Sequence, residues 1–163
     1  SGNKKEQVSV LIRQSFFNTG FRIRAHNIKA FNGIESGDED FSVTCARRMI
    51  VASLMNLIDN SIYWLVNRGN KDKRIYIGTT RELRGGPSII VADNGPGFSD
   101  PTEYLVQPFI TRRPAGMGLG LHIVDEVMKA NEGNLVFPEA GALTLPKGFD
   151  GAIVALQFKD TNS

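Results

Sequence analysis

Ile89-Ile-Val-Ala-Asp93-Asn-Gly95-Pro-Gly97 joins an apolar, β-branched run to an acid and then to two glycines. The run reads as a strand, and it delivers the Asp93 carboxylate at the strand's end. Gly95 and Gly97 let the chain turn sharply there and approach a ligand closely. An Asp-Asn-Gly tripeptide is by itself an ordinary turn. Its meaning rests on what flanks it.

Upstream, Arg74 to Thr80 forms a second short strand, joined to the first through Gly85-Gly86-Pro87. Before it, Met49, Ile50, Ala52, Leu54, Leu57, Ile58 and Leu65 recur at helical spacing, predicting a long amphipathic helix from Cys45 to Val66. Asn56 and Asn60 lie four apart in this helix and share a face. Burying an unpartnered amide costs about 1–3 kcal/mol, so this pair needs polar company. Two readings stand: amides bonded to a loop backbone, or a polar cleft wall offering an amide oxygen to a hard cation such as Mg²⁺. Earlier still, Gln7 to Phe17 reads as a helix, Phe21 to Phe31 as a strand, and Glu35-Ser-Gly-Asp-Glu-Asp40 as a solvated acidic turn.

Downstream, Asp93 to Pro114 reads as a long loop with one helical turn near Tyr104. Gly116-Met-Gly118-Leu-Gly120-Leu121 then opens a second amphipathic helix, Leu119 to Ala130, ended by Asn131-Glu-Gly133. Glycines at a helix N-terminus expose N–H groups beside the positive end of the helix dipole, which suits phosphate. The dinucleotide fingerprint fails, because Leu121 stands where it needs glycine, and no Gly-x4-Gly-Lys-Ser/Thr occurs. Arg112 and Arg113, just upstream, are placed to pair with phosphate oxygens. Leu135–Phe137, Ala142–Leu145 and Ala152–Phe158 complete the strands. The order of elements predicts an α+β, two-layer α/β sandwich with helices on one face of a mixed sheet.

Composition sets the bounds. The 163 residues suit one domain, with 41% hydrophobic residues and 17 glycines. Lys+Arg 19 against Asp+Glu 17 gives a net charge of +2, which argues against a general nucleic-acid binder. The single Cys45 excludes an internal disulfide framework and a thiolate metal cluster, pointing to a reducing, cytoplasmic setting. The sequence shows no signal peptide and no apolar run near the roughly 18 residues needed to span a bilayer. Ser1-Gly2 lacks an initiator Met and reads as a cloning remnant or a cut, so residues 1–163 are expected to be one domain excised from a larger protein.

Asn-x3-Asn, Asp-x-Gly-x-Gly, Pro108-Phe109-Ile-Thr111-Arg112-Arg113-Pro114 and Gly-x-Gly-Leu-Gly-Leu occur in the order of the N, G1, F and G2 boxes. The chain thereby resembles the catalytic ATP-binding domain of sensor histidine kinases. That superfamily also holds DNA gyrase, through its ATP-binding chain, a mismatch-repair ATPase and a heat-shock chaperone. The match runs from about Met49 to Phe137, and Gly151–Phe158 resembles the family's closing strand. The resemblance implies ATP held between the helices under a flexible lid. Asp93 would accept the adenine amino group, with Gly95 and Gly97 close to the base and Trp64 beside the nucleotide. Asn60 would coordinate Mg²⁺, with Asn56 one turn earlier. Phe109 would anchor the lid, which Thr111 and Arg112 would line; Arg113 stands where related kinases carry a phosphate-facing lysine and, with Asn56 and Asn60, would be catalytic. Gly116, Gly118, Leu119, Gly120 and Leu121 would wrap the phosphates.

Departures from the family pattern carry information. Hydrolysing branches place a water-activating glutamate where Asn56 stands, and a neutral amide is no general base. Asp59 lies about 100° round the helix from Asn60, off the cleft. Tyr63 replaces a phosphate-facing cation, which shifts weight to Arg112, Arg113 and Arg68. His26 and His122 read as structural, so the phosphoacceptor histidine is expected on a hairpin outside this chain, with a response regulator downstream. The expected activity is therefore phosphotransfer by a Mg·ATP-binding domain. The alternative is a nucleotide-gated interaction module with slow or no turnover, and a weaker one is a Ser/Thr protein kinase on the same fold.

Overall fold

The computed structural model describes residues 2–107, 120–139 and 141–160. In chain order the elements are β1 (Asn3–Gln7), α1 (Val8–Ala25), β2 (Lys29–Asn32), β3 (Ser42–Ala46), α2 (Arg47–Asn67), β4 (Arg74–Thr80) and β5 (Ser88–Asp93). These are followed by α3 (Thr102–Leu105), α4 (Gly120–Ala130), β6 (Asn134–Val136) and β7 (Ile153–Gln157). Five strands form one sheet in the order β2-β4-β5-β7-β6, in which β2 and β4 are parallel and the other pairs antiparallel. β1 and β3 form a separate antiparallel pair.

β5 is buried at every position, which accounts for its unbroken apolar sequence. Strand alternation sends Ile89 and Val91 into the core under the helices, and Ile90 and Ala92 to the opposite face. Asp93 continues the first series and so points toward the helical layer. α2 lies at the centre of that layer, burying Ile50, Leu54, Leu57, Ile58 and Leu65, with α1 and α4 packed on either side. By length and composition α2 would also cross a membrane; here it is the core helix of the domain. The second sheet face is covered by Leu143, Leu145 and Phe149 from the β6–β7 connection. Helices thus occupy one face of a mixed sheet, as the order of elements predicts.

Several elements differ from the sequence reading, among them β1 and β3, which it does not foresee. α1 runs through Phe21 to Ala25, where a strand is predicted, and only Lys29–Asn32 is extended. His26 accordingly closes α1 as an exposed C-cap. Residues 142–145 form no strand; they cover Tyr76 and Ile90 as an irregular segment.

Candidate functional site

Asp93 is 2% exposed at the end of β5, and three donors converge on it. Ser61 Oγ donates to Oδ2 at 2.7 Å, while the Gly95 and Ala152 amides donate to Oδ1 at 2.9 and 3.1 Å. Burial pushes the acid above the usual carboxylate range, and these three hydrogen bonds pull it back. The acid therefore joins α2, the β5 loop and β7 at one point.

A cavity opens beside it, with about 410 Å³ of atom-free space, mouth included. α2 supplies Leu57, Asn60, Ser61 and Trp64, residues one turn apart on one face. β5 adds Val91 and Asp93, β7 adds Val154 with Ala152 just before it; the loop adds Pro96, Gly97 and Phe98; α4 adds Leu121. The walls are mainly apolar, with a single buried acid among them, an arrangement suited to a flat heterocycle recognised at one edge. Phe98 is braced edge-on by Phe137, with ring centroids 5.4 Å apart. Gly97 has φ +79°, a conformation that L side chains rarely adopt.

The two asparagines meet the glycine segment. A Cβ on Gly120 would stand 3.5 Å from Asn60 Nδ2 and 3.6 Å from Asn56 Oδ1. The first residue of α4 therefore abuts both amides, with Asn60 and Leu121 also lining the cavity. Asp59 points elsewhere: its carboxylate accepts from Arg22 Nε at 2.9 Å and Arg22 Nη2 at 3.2 Å. His122 Nδ1 lies 3.2 Å from the Val106 carbonyl oxygen. Among the described residues no group of three His, Cys, Asp or Glu side chains is arranged to hold a metal.

Of the sequence-predicted residues, Asn56, Asn60, Trp64, Asp93, Gly95, Gly97, Gly120 and Leu121 gather around this cavity. Phe109, Thr111, Arg112, Arg113, Gly116, Gly118 and Leu119 lie outside the described residues. The sequence does not single out Ser61 or Gly151. A Cβ on Gly151 would come within 2.5 Å of both Asp93 Oδ1 and the Gly95 nitrogen, so only glycine fits there. A glycine just before the closing strand is the available signal for Gly151. Ser61 offers none beyond its place beside Asn60.

Residues 46–160 match the family model described as histidine kinase-, DNA gyrase B-, and HSP90-like ATPase. The chain belongs to this family. Among solved structures, the fold is similar to the catalytic domain of the histidine kinase ThkA (TM-score 0.73, 21% identity, covering 98% of this chain and 97% of that one). It is also similar to the mycobacterial sensor histidine kinase MprB (TM-score 0.69, 20% identity, covering 98% and 99%). Among curated proteins, the C4-dicarboxylate transport sensor protein DctS of Rhodobacter capsulatus is 31% identical over 138 residues, covering 79% of this chain and 20% of DctS. DctB of Rhizobium meliloti is 36% identical over 89 residues, covering 54% of this chain and 14% of DctB. The chain thus spans about a fifth or less of these sensor proteins.

Proposed function

We propose that residues 1–163 form a single Mg·ATP-binding catalytic domain of a histidine-kinase-type protein. Its γ-phosphate would pass to a histidine on a separate phosphoacceptor domain, with a response regulator receiving it next, in a cytoplasmic setting. The observation that carries this reading is Asp93: a buried acid, held by three donors, facing an apolar slot between the sheet and α2. A carboxylate accepts from the adenine amino group and repels the carbonyl that guanine presents at the same edge.

The donor set beside Gly120 suits the remainder of the ligand. Asn60 offers a neutral amide oxygen of the hard type that Mg²⁺ prefers, and Asn56 lies one turn away on the same face. Bound magnesium would neutralise phosphate charge. The chain's own part is positioning: Asp93 fixes the base, Trp64 and Leu121 wall the cavity, and the amides with Arg112 and Arg113 orient the phosphates. On α2 no carboxylate stands ready to activate water, since Asn56 is an amide and Asp59 is engaged by Arg22. Transfer to another group is therefore favoured over hydrolysis.

Calorimetry with Mg·ATP and Mg·GTP tests the pocket. ATP is expected to bind and GTP to fail, and Asp93→Asn should lose ATP binding while its melting temperature holds or rises. Normal ATP binding by D93N refutes the pocket. Asn60→Ala should remove the magnesium-dependent part of the affinity. Incubation with radiolabelled ATP and a histidine-bearing helical hairpin should give acid-labile phosphate on the hairpin. Nucleotide-dependent partner affinity with no labelled product would favour the switch reading instead.

A further inference from the structure

α1 turns two phenylalanines out to solvent: Phe17 is 84% exposed and Phe21 79%. They lie four residues apart and so share one helix face. The helix packs inward through Val8, Leu11, Ile12 and Ile23, so the outward pair contributes little to the core. Beside Phe17 a groove runs between α1 and β2, with about 1430 Å³ of open space, mouth included, past Gly20, Ala30 and Asn32.

The rim is basic. Arg13 and Arg24 sit eleven residues apart on α1, about 16 Å along its axis, and Arg47 opens α2. Among the described residues none of these three has an ion-pair partner, whereas the nearby Arg22 is bound to Asp59. The Arg24 guanidinium lies over Gly20, with Nη1 2.9 Å from where a Cβ would stand. Glu35 is the acid in the lining.

We propose that this face docks an amphipathic helix of a partner protein, one whose apolar stripe is flanked at both ends by acidic residues. A helix laid into the groove would anchor apolar side chains against Phe17 and Phe21 at one-turn spacing. Its terminal carboxylates would meet Arg13 at one end and Arg24 at the other. Aromatic and arginine side chains are the groups that dominate interface energetics. A second copy of this chain fits poorly, because a two-fold contact would set arginine against arginine. An anionic membrane meets the same cations, but the concave lining and Glu35 favour a protein segment.

The test uses two synthetic helical peptides of about fifteen residues, each with leucines at one-turn spacing. One carries glutamates at both ends and the other lysines. Binding to this chain is read by fluorescence anisotropy and mapped by amide NMR. The glutamate peptide is expected to bind across Phe17 and Arg24 and to weaken with added salt, while the lysine peptide fails. The double variants F17S/F21S and R13E/R24E should each lose at least about tenfold in affinity with unchanged melting temperature. Failure of the glutamate peptide to bind, equal binding of both peptides, or shifts mapped elsewhere would overturn the proposal. So would a dimer that F17S/F21S dissolves, or phosphatidylserine vesicles that bind where the peptide does not.

Discussion

Two carboxylates in this domain are held in nearly the same way and face different surroundings. Asp38 accepts from the Tyr76 hydroxyl and from the Thr79 amide at 3.1 Å; Asp93 accepts from the Ser61 hydroxyl and two amides. Each therefore combines one side-chain hydroxyl with backbone N–H donation, one amide for Asp38 and two for Asp93. Around Asp38 the space is filled: a Cβ on Gly33 or Gly78 would collide with its carboxylate and with the Tyr76 ring. Around Asp93 one side opens on the apolar cavity. Pinning a carboxylate fastens a fold. Pinning it beside an open cavity leaves it accessible to a ligand.

The largest expected effects come from the glycines that back these acids. Gly151→Ala should cost about 2–4 kcal/mol in urea denaturation, because the obstructing atoms include backbone, and should abolish nucleotide binding. Gly78→Ala should cost a similar amount yet leave the folded fraction binding ATP with normal affinity. A G78A protein that is folded but cannot bind ATP would break the distinction.

Removing the hydroxyls is expected to have a smaller effect. Tyr76→Phe should lower stability by about 1–2 kcal/mol with no change in ATP affinity by calorimetry. Ser61→Ala should cost a comparable amount of stability, because it also removes a donor from a buried carboxylate, but unlike Tyr76→Phe it should lower ATP affinity as well, since Asp93 faces the cavity.

Acidification probes Asp93. Burial raises its folded-state pKa, so ATP affinity should fall on acidification with a midpoint above the usual aspartate value of about 3.9. In S61A the midpoint should move higher still, because the Ser61 bond is one of those that lower it. For stability the sign is opposite to that of a salt-bridged acid. A raised folded pKa adds stability below the unfolded pKa, and this is lost as pH rises through the folded value. D93N should flatten that part of the stability–pH curve.

The smallest effect concerns Cys45, remote from both acids. Burial first, and the Glu6 charge second, push its thiol up to about 11. Alkylation at pH 8 should be slow in the folded protein and fast in urea, as followed by mass spectrometry.

Those parts of the molecule are legible in sequence where one element does one job. α2 and β4 through β5 announce themselves by period and by β-branched runs, and Asp93 lies where such a run meets glycine. α1 reads too short because Phe17 and Phe21 face water and break the inward stripe. β1, with the sequence Asn3-Lys-Lys-Glu-Gln7, is mostly exposed and has no alternation to find. Ser61 acts only through a carboxylate 32 residues away, a relation that no local pattern encodes.

One consequence concerns synthesis. The acid on β5 is complete only when Gly151 and Ala152 arrive, almost sixty residues later, and β7 must then enter between β5 and β6. On a ribosome, the edge of β5 stays unpaired until β7 emerges, exposing a row of open backbone groups between apolar side chains to neighbouring chains. Nascent chains halted before Gly151 are therefore the species most prone to aggregate, and nucleotide cannot rescue them.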